Sequence, residues 1–137
     1  MSLYQSKYIV KVSFEDLDPM NVVWHGNYMR YMEQARCNLL EELNYTYIDM
    51  KNENYAYPVA KMNVKYIKPA TFGDTLTIVT DIEELEPALN IKYKIYRGKE
   101  KIFEAKTMQI GINIKTGESI YTAPKSFRAK IERIGNA

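Results

Sequence analysis

Hydrophobic and polar positions along this chain change period twice. Residues 7–14, KYIVKVSF, alternate and are rich in β-branched side chains, which predicts a strand with one buried face. From Asn27 to about Leu43 the period becomes helical. Tyr28, Met32, Ala35, Leu39 and Leu43 recur at spacings of four, three, four and four, so they share one face. Arg30, Glu33, Arg36 and Glu41 fall largely off it. Gly26 and Asn27 stand where this helix must begin, and asparagine satisfies the free amides of a first turn well. Residues 44–57, NYTYIDMKNENYAY, hold neither period and read as an irregular, polar-aromatic connection.

Alternation returns after Pro58. VAKMNVKYI reads as a strand and KPATFGD as a turn. TLTIVTDIEEL is a long strand with Leu76, Ile78, Thr80 and Ile82 on one face. EPALN turns the chain, IKYKIY sets Ile91, Tyr93 and Ile95 on one side, RGKEK makes a hairpin loop, and IFEAKTMQIGINI returns. KTGES is another turn, and Pro124 to Ile134 predicts a terminal helix with proline at its start. The order is strand, long helix, four strands in a meander, helical tail. One helix cannot cover both faces of a five-stranded sheet, yet the alternation leaves one face apolar. The economical arrangement is an α+β domain whose antiparallel five-stranded sheet wraps around the helix. A chain of 137 residues favours one such domain over residues 1–137, with no linker or repeat.

Composition narrows the chemistry. A net charge of +2 with dispersed lysines excludes a field suited to nonspecific nucleic-acid binding. One cysteine, Cys37, cannot form an internal disulfide, which fits a reducing, cytoplasmic setting. One cysteine and one histidine also rule out a multi-cysteine or multi-histidine metal site. The first residues lack the apolar core of a signal peptide, and no apolar run approaches the ~20 residues that span a bilayer. Twelve tyrosines suit half-buried strands, or an aromatic groove or self-association surface.

The rarest residues cluster in one stretch. Within FEDLDPMNVVWHGNYMRYMEQAR, residues 14–36, the first dozen positions bring three carboxylates, the sole histidine and the sole tryptophan together just before the helix. Asp18 beside Pro19 suits a turn, where aspartate commonly bonds nearby amides. It also suits chemistry, because a helix N-terminus with free N–H groups lies some seven to ten residues on.

Read from Asp16 to Arg36, D-x-D-P-x-x-V-V-W-H-x-N-Y-x-x-Y-x-E-x-A-R resembles the hotdog-fold acyl-CoA thioesterases of the 4-hydroxybenzoyl-CoA thioesterase type. The segment Y-x-x-P-A-x-x-G-D-x-L, Tyr66 to Leu76, is similar to that family as well, and the likeness runs over roughly residues 7–125. The resemblance implies a sheet wrapped around a central helix and assembly as a homodimer or homotetramer. It implies an acyl-CoA substrate held between two subunits and no cofactor or metal. It places the catalytic aspartate at Asp18, and at His25 the backbone amide that polarises the thioester carbonyl. The His25 ring can orient Asp18, bind substrate or move a proton, or simply sit satisfied at the helix start. Asp16 reads as a structural partner within the turn.

Substrate contacts are expected from Val23, Trp24 and Tyr28 beside the site and from Lys61 on the flanking strand. Trp24 and Tyr28 equally suit packing. Lys65, Arg97, Lys99 and Lys101 are other cations that can meet phosphate or stay solvated. Relatives carry glycine where this chain has Asn21, a residue that tolerates the left-handed backbone better than other non-glycine types. The expected activity is hydrolysis of an acyl-CoA to a free acid and coenzyme A. The alternatives are a noncatalytic acyl-CoA-binding hotdog protein and another thioester-utilising hotdog enzyme.

Overall fold

The structure, a computed structural model, describes residues 2–135. The first strand, β1 (Tyr4–Lys11), ends before the single 3-10 turn Phe14–Asp16. The long helix α1 (Asn27–Glu42) follows, then a short helix α2 (Tyr47–Asn52) and the two-residue strand β2 (Tyr55–Ala56). Four longer strands come next: β3 (Val59–Tyr66), β4 (Thr75–Glu84), β5 (Leu89–Arg97) and β6 (Glu100–Gln109). Two short strands, β7 (Gly111–Asn113) and β8 (Ser119–Ile120), lead to the last helix, α3 (Lys125–Gly135).

The main sheet is antiparallel with order β1-β4-β5-β6-β3. The expected four-strand meander is therefore wrong in one respect. β4, β5 and β6 do follow as neighbours, but β3 pairs with β6, not with β4. β1 already occupies the outer edge of β4 along its whole length, so the far edge is the one left for β3.

α1 lies on the concave face, chiefly against β1 and β4. Tyr28, Met32, Ala35, Leu39 and Leu43 are all buried, as their spacing predicts, and so are Leu76, Ile78, Thr80 and Ile82 opposite. The helix leaves β3 uncovered. Every residue of β3 is exposed, on both faces and along one edge. Met62, Val64 and Tyr66 form an apolar row on the helix side of this bare strand.

The stretch read as an irregular connection contains α2. Thr46 caps it: its hydroxyl accepts from the Asp49 amide, and Asp49 Oδ2 accepts from the Thr46 amide at 2.8 Å. The long strand expected over IFEAKTMQIGINI breaks at Ile110. Its second half joins a small sheet of order β2-β7-β8. Gly111 permits this crossing, because any Cβ there would enter the Tyr55 ring. α3 closes that end by stacking Phe127 on Tyr45, with ring centroids 5.0 Å apart.

Candidate active site

Asp18 sits at the base of a tight hairpin turn. Its amide donates to Val22 O (2.8 Å), and Asn21 donates back to Asp18 O (3.0 Å). Leu17 pairs with Val23 to close the hairpin. Pro19 fits the first central position of such a turn, and the third loop residue must adopt positive φ. Asn21 does so, with φ of +64°, so asparagine keeps the path expected of glycine. Two further bonds tie this turn to residues 70 and 71. Thr71 Oγ1 donates to Asn21 O at 2.8 Å, and the Val23 amide donates to Ala70 O at 2.8 Å.

The turn role expected of Asp18 is present. Oδ1 accepts from the Met20 amide at 2.8 Å, the turn-stabilising contact. Oδ2 accepts no hydrogen bond among the described residues. A carboxylate held by one oxygen and free at the other is oriented yet available.

Asp16 is the buried member of the pair, 4% exposed. It accepts from the Ser13 amide, the Tyr31 hydroxyl and the Arg30 guanidinium. Burial alone would raise its carboxyl; the Tyr31, Ser13 and Arg30 contacts outweigh burial and hold it below the usual carboxylate range. Its backbone carbonyl also takes the Asn27 side-chain amide (2.8 Å) and the Trp24 N–H (3.0 Å). Asp16 thus clamps the Asp18 loop onto α1, the structural task expected of it.

Asn27 consequently does not cap its own helix. Gly26 occupies the N-cap position with helical φ and ψ and makes no side-chain cap. Among the described residues the amides of His25 and Gly26 donate to nothing. Glycine at 26 leaves room for the Trp24 ring, which lies where a Cβ would stand.

A cavity of about 280 Å³ joins these parts. Of the residues singled out in the sequence, Asp18, Val23, His25 and Tyr28 line it. Tyr28 is buried and stacks on Phe103, with centroids 4.7 Å apart and planes 7° from parallel. Trp24 and Lys61 are not among the lining residues. Trp24 lies outside against His25, 49% exposed. Lys61 lies five residues before Tyr66 on β3 and points to the opposite face, near Glu83 and Lys106.

Five lining residues are not among those expected from the sequence, Val22, Tyr66, Ile67, Lys68 and Pro69, and of these Tyr66 and Lys68 bring polar side chains. The Tyr66 hydroxyl donates to the His25 carbonyl at 3.1 Å. Lys68 pairs with Glu100 at the rim. The quoted segment beginning at Tyr66 was the available signal, but nothing local shows which of its residues faces the helix. Arg97 is committed to Asp74, Glu100 and the Pro69 carbonyl, and Lys101 to Glu104. A larger groove of about 680 Å³ follows the outer flank of α1 past Glu33 and Cys37 and contains neither Asp18 nor His25. Cys37 is half-buried there, and burial pushes its thiol pKa up, away from nucleophilic reactivity.

Comparison with known proteins decides the family. The model of the thioesterase-like superfamily matches residues 12–131. The chain belongs to that superfamily. This thioesterase-like chain is 34% identical over 82 residues to a putative acyl-CoA thioesterase, YneP, of Bacillus subtilis, covering 60% of the chain. It is 36% identical over 76 residues to the acyl-CoA thioester hydrolase YbgC of Escherichia coli, covering 56% of the chain. The matches span 59% and 57% of those two relatives' lengths. Among solved structures, a DHNA-CoA thioesterase from Staphylococcus aureus superposes with a TM-score of 0.82 at 24% identity, over 96% of this chain and 93% of that one. The wrapped-sheet hotdog architecture is thereby shown.

Proposed function

We propose that this thioesterase-like protein hydrolyses acyl-CoA thioesters to a free acid and coenzyme A. The observation that carries the reading is the free Oδ2 of Asp18 in one cavity with His25, at the uncapped start of α1. Asp18 attacks the thioester carbonyl carbon directly or removes a proton from the water that does. The C–S bond then breaks, and coenzyme A leaves as the thiolate and takes up a proton; in the direct route water then cleaves the acyl–Asp18 anhydride, releasing the free acid and restoring the carboxylate. The helix N-terminus supports the oxyanion that forms on the way, since its amides are unspent and its dipole is positive there. The thioesterase names of the relatives YneP and YbgC favour the same chemistry.

The bare edge of β3 supports assembly as a homodimer or a dimer of dimers. An unpaired edge strand with apolar residues on an exposed face is a template for a second strand. Antiparallel pairing of two copies brings the Val59 end of one strand to the Tyr66 end of the other. That sets an apolar hollow of about 390 Å³, lined by Tyr47, Met50, Tyr57 and Pro58 of one copy, beside the Asp18 cavity of the other. The acyl group then lies between subunits. Lys68 is the cation that lines the cavity, and a coenzyme A phosphate there would compete with Glu100 for it. Among the described residues no helix is long and apolar enough to cross a membrane, in keeping with work in the cytoplasm.

A noncatalytic acyl-CoA binder is the alternative. Incubating the protein with straight-chain and aromatic acyl-CoA thioesters and a thiol reagent separates the two. Catalytic release of free thiol without an acceptor supports hydrolysis; stoichiometric retention of intact thioester contradicts it.

A further inference from the structure

We propose that Tyr66 is a positioning residue for the oxyanion site, acting through the peptide that links His25 to Gly26; the inference rests on the thioester-hydrolase reading above. Tyr66 is the last residue of β3, and its hydroxyl donates to the His25 carbonyl at 3.1 Å. The ring is held from two sides, edge-on to Tyr28 and to Phe103 with centroids 5.4 Å and 5.3 Å away. It also meets the His25 ring edge-on at 6.3 Å. Packing would explain a phenylalanine. It does not explain the hydroxyl, whose one hydrogen-bond partner among the described residues is the His25 carbonyl.

The bond matters for what lies across the peptide. The His25 carbonyl and the Gly26 N–H belong to one planar trans unit, so they point in opposite directions. Holding the oxygen fixes the aim of the N–H. Donating to the oxygen also polarises the unit and strengthens the N–H as a donor. The helix itself supplies little hold, since the Tyr28 amide reaches the same oxygen only at 3.4 Å. The Gly26 N–H has no acceptor among the described residues, and neither does that of His25. The contrast with α2 is informative: there Thr46 and Asp49 close the N-terminus with a capping box, whereas at α1 the good capping residue, Asn27, is spent on Asp16. The start of α1 is left open, and its orientation is set from outside the helix by Tyr66. Because Tyr66 ends the bare edge strand, the same residue carries the register of a paired second copy to the site.

An oxyanion forms only as the reaction proceeds, so the loss should appear in kcat and not in KM. Tyr66→Phe keeps the ring and removes the hydroxyl. Wild type, Tyr66→Phe and Tyr66→Leu are compared on the acyl-CoA thioester that wild type hydrolyses best. The Phe variant is expected to keep wild-type oligomeric state and thermal midpoint, with KM within about twofold and kcat lower by about tenfold. Tyr66→Leu, which also loses the aromatic contacts, should raise KM in addition. Wild-type kcat in Tyr66→Phe overturns the inference while leaving the hydrolase reading intact, as does a loss confined to KM. Absence of hydrolysis by wild type across the panel overturns both.

Discussion

The Tyr31 hydroxyl reaches back from α1 to donate a 2.7 Å hydrogen bond to Asp16 Oδ2, two residues before the carboxylate assigned to the chemistry. The loop carrying Asp18 is therefore anchored through a neighbour to the core of the molecule, because Tyr31 is fully buried. Tyr31→Phe leaves a buried carboxylate short of one donor. It should cost about 1–3 kcal/mol by urea denaturation and lower turnover as well. Unchanged stability would show that Asp16 is satisfied without Tyr31.

The depressed Asp16 carboxyl gives a pH dependence of definite sign. Its folded value lies below its ordinary 3.8, so the folded state binds this proton less readily than the unfolded chain. The stability it contributes is present above the unfolded value and is lost as pH falls through the folded one. Comparing wild type with Asp16→Asn isolates this group from other carboxylates. The stability gap between them should be widest near neutral pH and shrink as pH falls below the ordinary value of 3.8. A gap that stays constant on acidification contradicts the assignment.

Trp24 is the sole tryptophan and its ring occupies the space a Cβ at residue 26 would need. Gly26→Ala should displace the ring, shift the intrinsic fluorescence and slow turnover by about tenfold as the helix start moves. An unchanged emission spectrum would mean that the ring lies elsewhere in solution.

Much of this fold was legible because its periods are regular. The face Tyr28, Met32, Ala35, Leu39, Leu43 and the strand faces around Ile78 and Tyr93 follow directly from spacing. The placement of β3 was not legible, since alternation says which face is apolar and nothing about which neighbour a strand takes. Competition for the β4 edge decided it, and β1 holds that edge. α2 was missed because six residues are too few to show a period; the Thr46–Asp49 spacing was the cue. At the site, Asp18, Val23, His25 and Tyr28 are close in sequence and came together. Lys61 and Tyr66 alternate on one strand, and its pattern alone does not say which of its faces turns toward α1.

The edge of β3 makes assembly testable. Met62→Lys with Val64→Lys places charges on the exposed apolar row, where a second antiparallel copy would bring like charges close. The variant should sediment as a folded monomer and lose acyl-CoA hydrolysis by about a hundredfold or more. A wild-type chain that is already monomeric and fully active would remove the second subunit from the site.

The most direct test is the rate of coenzyme A release by Asp18→Asn against wild type, followed with a thiol reagent on a common acyl-CoA. A loss of about a thousandfold or more, with fold and oligomeric state intact, is the predicted result. Equal rates from the two proteins would contradict the account, because no other carboxylate among the described residues lines that cavity.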